Sequence, residues 1–209
     1  MPAETSVPRP LRLAVLISGG GRTMVNLAEK IRGGELDAKI VLVISSRPDV
    51  AGVERARELD LPVQCLDRRE FDSVETYSDA VWEAVQGAAA DLVCLAGFLH
   101  LLRIPTQLQG RVLNIHPALL PRFGGRGMYG RHVHEAVLAA GASESGCTVH
   151  FADAKYDEGQ IILQQTCPVR PDDTPETLAA RVFEQECIAY PQAIRQVAAN
   201  WKAGAAARP

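Results

Sequence analysis

The chain has 209 residues, 47% of them hydrophobic, with a formal charge of −3 and a pI near 6.0. That length supports one well-buried domain. The charge gives no general affinity for nucleic acid or an anionic membrane, so any anionic ligand must be held by local features.

The start, "MPAETSVPRP", lacks the basic region and apolar core of a secretory signal. Residues 1–10 are expected to form a disordered, Pro-rich tail. The longest apolar run, Leu13 to Ile17, falls far short of a membrane span. Five strands are expected in "LRLAVLIS" (11–18), "KIVLVIS" (39–45), "PVQCLD" (62–67), "DLVCLAG" (91–97) and "RVLNIH" (111–116). They are nearly continuously apolar, as parallel strands covered on both faces are. Between them, "TMVNLAEKIRGG", "AGVERARELD" and "SVETYSDAVWEAVQGAA" have helical periodicity. This alternation predicts an α/β fold with a doubly wound, mainly parallel sheet and right-handed crossovers.

The pattern changes after residue 117. A long loop and a helix around 131–141 lead to "GCTVHFAD" and "GQIILQQTCPV", which read as a hairpin. The last helix opens with Thr174 as N-cap and Pro175 at its first position. Pro191 is expected to kink or restart it. The C-terminal hairpin and helix are assigned to the same single domain, residues 11–201, with 202–209 as a frayed end.

Cys65, Cys94, Cys147, Cys167 and Cys187 are scattered, odd in number and free of any C-x-x-C pair. Neither a disulfide framework nor a zinc site is expected, and the compartment reads as reducing cytoplasm. Cys65 and Cys94 are expected to be buried.

Three stretches carry chemistry. "LISGGGRT" (16–23) runs a strand through three glycines into a helix, a layout in which backbone N–H groups hold a phosphate. Met24 stands where a dinucleotide fingerprint needs glycine, and the second strand ends in "SSR" without an acidic residue, so a monophosphate fits best. Asn114 and His116 share one face at the carboxyl end of the fifth strand, where open α/β sheets place ligands. An amide donor and an imidazole there suit oxyanion stabilisation and proton transfer; a core histidine beside a turn-closing asparagine is the plain alternative. "HFADAKYDEGQ" (150–160) offers Asp153, Asp157 and Glu158, either as an acidic surface turn or with one carboxylate orienting His116. His132 and His134 are expected on the surface, and His150 fits either a core or a functional position. The glycine-rich remainder of "LNIHPALLPRFGGRGMYG" (113–130) is expected to form a wall of the cleft.

Taken together, "VLISGGGR", "GVERARELDLPV", "VCLAGFL", "LNIHPALLP", "TVHFADAKYDEGQIILQ" and "ARVFEQECIAYP" resemble the phosphoribosylglycinamide formyltransferase family over residues 11–195. The resemblance implies a Rossmann-like formyltransferase fold with a phosphate-binding half (11–110) and a folate and catalytic half (111–201). It also implies formyl transfer from N10-formyltetrahydrofolate, as co-substrate and without a metal, to the amine of 5-phosphoribosylglycinamide in purine synthesis. Asn114, His116 and Asp157 would be the catalytic trio: Asn114 and protonated His116 on the oxyanion, Asp157 moving the proton. Gly19, Gly20, Gly21, Arg22 and Thr23 would face the phosphate. Phe183, Glu184, Gln185 and Glu186 would contact the same substrate, Glu186 at its glycinamide end. Leu99, His100, Leu101, Leu102, Asp153, Ala154, Lys155 and Tyr156 would join Asn114 and Asp157 around the folate. Two departures stand out: His100 replaces a common arginine, and Val74 replaces an arginine that some relatives set against folate. The partners implied are these two small molecules, with no nucleic acid, no membrane, and a homodimer left open. Formyl transfer to another amine (an amino sugar or methionyl-tRNA) and a phosphate-binding module without catalysis are the competing readings.

Overall fold

The computed structural model describes residues 9–153 and 155–206, with side chains as far as Trp201. The expected strands form as β1 (Leu11–Ile17), β2 (Ala38–Ser45), β3 (Val63–Cys65), β4 (Leu92–Leu95) and β5 (Val112–His116). The hairpin forms as β6 (Glu144–Phe151) and β7 (Ile161–Pro168). The helices are α1 (Arg22–Arg32), α2 (Ala51–Glu58), α3 (Val74–Gly87), α4 (Arg131–Ala139) and α5 (Pro175–Ala206).

All seven strands join one sheet in the order β3-β2-β1-β4-β5-β6-β7. β1 to β5 run parallel, and β6 and β7 extend the edge antiparallel. The order reverses between β1 and β4, and the crevice beyond their carboxyl ends is the natural ligand site of such a sheet. The period of two along β1 explains the layering: Leu13, Val15 and Ile17 pack on one face with Met24, Leu27 and Ile194, while Ala14 and Leu16 pack on the other with Tyr77 and Val81. Buried Tyr190 of α5 sets its hydroxyl 3.0 Å from the carbonyl oxygens of both Leu95 and Leu113, tying α5 to the two strands beside the crevice.

Several expectations change. α5 runs through Pro191 without interruption. The proline forfeits one backbone hydrogen bond, but it is buried, and Ala189, Tyr190, Ala193 and Ile194 around it hold the helix against the core. The same helix continues to Ala206, beyond the boundary placed at 201. Cys65 is exposed, because β3 is a three-residue edge strand; Cys94 is buried. His134 is buried rather than on the surface, because α4 turns the face carrying Val133, His134 and Val137 inward. Of the N-terminal tail, residues 1–8 lie outside the described residues, and Arg9 makes a bidentate pair with Asp91 at 2.8 and 2.7 Å. Thr174 caps α5 as expected, accepting the Thr177 N–H at 3.3 Å.

Candidate active site

Two cavities open at the carboxyl edge of the sheet and share Phe98, Asn114, Tyr156 and Asp157. The larger, of about 730 Å³, reaches from Arg22 and Thr23 past Phe183 and Glu186 to His116, and the loop 125–130 forms one wall. The smaller, a slot of about 50 Å³, is walled by apolar Leu95, Phe98, Leu102 and Val112 and rimmed by His100, Asp153 and Lys155.

At the Arg22 end, Gly21 (φ 69°) is the N-cap of α1 and no side chain caps the helix, so its first N–H groups are free for an anion. Gly52 of α2 makes this possible: its N–H donates to the Gly19 carbonyl at 3.1 Å, and a Cβ there would lie 2.5 Å from that oxygen. The Arg22 guanidinium stacks over Phe183, 3.8 Å from the ring centre. Burial pushes the Glu186 carboxyl up to about 7, against the opposing charge of Arg22. Gly19, Gly20, Gly21, Glu184 and Gln185 line neither cavity.

At the junction, β5 presents Asn114 and His116, and the register of β6 sets His150 directly across from Asn114. The Asn114 amide nitrogen is 3.1 Å from His150 Nε2 and 3.3 Å from Asp157 Oδ1. His150 Nδ1 lies 2.9 Å from the Phe151 carbonyl, which can only accept, so the proton belongs on Nδ1 and Nε2 accepts from Asn114. Both N–H bonds of Asn114 are thus engaged, which also fixes the orientation of its amide.

His116 is 3% exposed. Its Nε2 donates to the Phe123 carbonyl at 2.8 Å, and its Nδ1 faces Asp157 Oδ2 at 3.4 Å. Burial pulls the imidazole below its ordinary value, against the Asp157 charge and the Phe123 carbonyl, which raise it. The 3.4 Å spacing agrees with a neutral resting ring, since a charge-assisted bond would draw in to about 2.8 Å. Burial also works against ionised Asp157, yet its carboxyl is held below the usual range, and the Gly125 N–H donates to its Oδ2 at 2.9 Å.

Asp157 reaches this point through local backbone geometry. It adopts φ 58°, and a Cβ at Gly159 would collide with the Phe151 carbonyl, so only glycine permits this return into β7. Asp153 instead accepts the Lys155 N–H at 2.9 Å, and Glu158 pairs with the Lys155 ammonium. One of the three acidic residues therefore serves the junction. Ala154 lies outside the described residues. Val74 heads α3 and lines neither cavity.

The loop 117–130 is pinned at its start by Thr148, which donates to the Ala118 carbonyl at 2.6 Å and accepts the Leu120 N–H at 3.0 Å. Further on, the Phe123 carbonyl and the Gly125 N–H hold His116 and Asp157 from the same side. Sequence reasoning missed these backbone contacts and left His150 undecided; the one available signal was the alternation of His150 with Val149 along a strand.

Comparison with known proteins supplies the class to which this fold belongs. Residues 11–194 match the formyl transferase family, and the chain belongs to that family. It is 37% identical over 186 residues to phosphoribosylglycinamide formyltransferase of Haemophilus influenzae, covering 88% of this chain and 85% of that protein. The crystal structure of phosphoribosylglycinamide formyltransferase from Brucella melitensis superposes with a TM-score of 0.83 at 39% identity, covering 92% of this chain and 97% of that one. A trifunctional purine biosynthetic protein of Drosophila melanogaster is 40% identical over 190 residues. This chain spans 14–19% of the length of such trifunctional relatives. Among the described residues, no helix is long and apolar enough to cross a membrane, and no cluster of His, Cys, Asp and Glu is arranged to hold a metal ion.

Proposed function

We propose that this chain transfers the formyl group of N10-formyltetrahydrofolate to the amine of 5-phosphoribosylglycinamide, the acceptor carried in the names of its relatives. The observation that carries the reading is the meeting of two differently built cavities at Asn114 and Asp157. One has a free helix N-terminus and Arg22 at its far end, as a ribonucleotide phosphate requires. The other sets apolar Leu95, Phe98, Leu102 and Val112 beside polar groups, the mixed lining that a folate ring requires.

The chain's own groups divide the chemistry. As the amine adds to the formyl carbon, the formyl oxygen gains negative charge. Asn114 turns toward it the N–H now on Asp157, the longer of its two bonds. His116 Nδ1, beside Asp157, takes the proton that the amine sheds and becomes an imidazolium that stabilises the oxygen. The same pair returns the proton to N10 as the C–N10 bond breaks, so no net proton is gained or lost. One oxyanion donor is typically worth roughly 10²–10³ in rate, and general acid–base help about 10²–10⁴.

The test offers purified protein and formyl-folate with three acceptors in turn: glycinamide ribonucleotide, water alone, and an amino sugar. Rapid transfer to the ribonucleotide is expected. Transfer to either of the others in its place would overturn the reading.

A further inference from the structure

His134 is a buried polar group of the large cavity that the proposed reaction leaves unused. It is 5% exposed and lines the cavity together with Thr23, His116, Phe183 and Glu186. Its Nδ1 is sealed off and has no hydrogen-bond partner among the described residues. No protein group bonds to Nε2 either, yet Nε2 is not among the sealed atoms, so it is the ring's contact with the cavity. A buried bare nitrogen is tolerated better than a buried N–H without an acceptor. The proton of the neutral ring therefore sits on Nε2, which makes His134 a donor facing open space. Burial, and then the nearby His116, lower the ring's pKa and keep it in this neutral form.

The position of this donor selects its acceptor. The cavity runs from the phosphate end at Arg22 and Thr23 to the amine end at Asn114 and His116, and His134 belongs to the α4 wall of the same cavity. It does not line the folate slot. We infer that His134 Nε2–H donates a hydrogen bond to an oxygen of the ribose-phosphate, making it a specificity residue for the ribonucleotide. This rests on the ribonucleotide reading above. Its plain competitor is a ring that merely fills space, for which phenylalanine would serve equally well.

The experiment measures ribonucleotide affinity by calorimetry in the absence of folate, together with KM for both substrates and thermal melting. His134→Phe keeps the ring volume and deletes both nitrogens; His134→Gln returns an N–H near the position of Nε2. His134→Phe is expected to weaken ribonucleotide binding about tenfold, leave the folate KM within about twofold, and be partly rescued by His134→Gln. Analogues lacking the phosphate or a ribose hydroxyl assign the acceptor: the one that binds wild type and His134→Phe equally lacks the oxygen concerned. If His134→Phe melts early, His134→Asn, too short to reach, should show the same selective loss. Unchanged ribonucleotide affinity in these variants, or equal losses for both substrates, would overturn the inference. Failure of the wild-type protein to bind the ribonucleotide would instead count against the function proposed above.

Discussion

The Phe123 carbonyl oxygen lies 2.8 Å from His116 Nε2, so the backbone of the glycine-rich loop fixes the proton of the His116 imidazole. With Nε2–H committed there, Nδ1 is left facing Asp157 Oδ2 at 3.4 Å, ready to accept. The loop that follows His116 is thus a tautomer-setting clamp as well as a cavity wall.

Asp157 is one of two influences holding up the His116 pKa against burial. Asp157→Asn removes that charge, and the imidazole should then titrate lower than in wild type. NMR titration of the His116 ring in both proteins checks this; an unchanged or higher value in the variant would deny the coupling.

Glu186 carries a different pH signature. Its carboxyl is raised to about 7 in the fold, from an ordinary value of 4.5. Between those values the folded protein holds a proton that the unfolded chain has lost, so stability falls as pH rises from about 4.5 to about 7. Glu186→Gln lacks this dependence. Its advantage over wild type should be small near pH 4.5 and grow to about 3 kcal/mol above pH 7. Urea unfolding at pH 5 and pH 8 measures the difference.

Gly52 sits outside both cavities yet holds the glycine turn before α1. Gly52→Ala would push a methyl group to 2.5 Å from the Gly19 carbonyl and 2.6 Å from Ile17 Cδ1. Displacing the turn should raise KM for the ribonucleotide roughly tenfold or more while leaving that for formyl-folate near wild type. Steady-state kinetics with each substrate varied in turn reads this split.

The start of α5 depends on Asp173, which accepts from both Arg181 guanidinium nitrogens (2.6 and 2.9 Å) and from the Arg170 N–H (2.7 Å). Chiefly the Arg181 hydrogen bond holds its carboxyl well below the usual range. The resulting stability is present above the unfolded pKa near 4 and lost as pH falls through the depressed folded value. Asp173→Asn should melt a few degrees lower at pH 7, with the gap closing in strong acid.

The sheet was legible because continuous apolar runs separated by helical periods leave few other arrangements. Asn114, His116 and the glycine turn stood out because their types and strand-end positions suit chemistry. What escaped depends on partners remote in sequence. His150 gains its role only from the β5–β6 register, which sets it opposite Asn114. The Phe123 carbonyl and Gly125 N–H carry no side-chain signal at all. His134 looked like a surface residue because α4 is short and polar on one side, and only its packing against α5 shows which side is buried.

The central claim is that Asn114, His116 and Asp157 perform the transfer at the junction of the two cavities. Turnover of His116→Ala and Asp157→Asn at saturating formyl-folate and glycinamide ribonucleotide, with melting curves confirming folded protein, tests it most directly. Each variant is expected to lose at least about 10²-fold in kcat while remaining folded. Near-wild-type turnover in either would contradict the account.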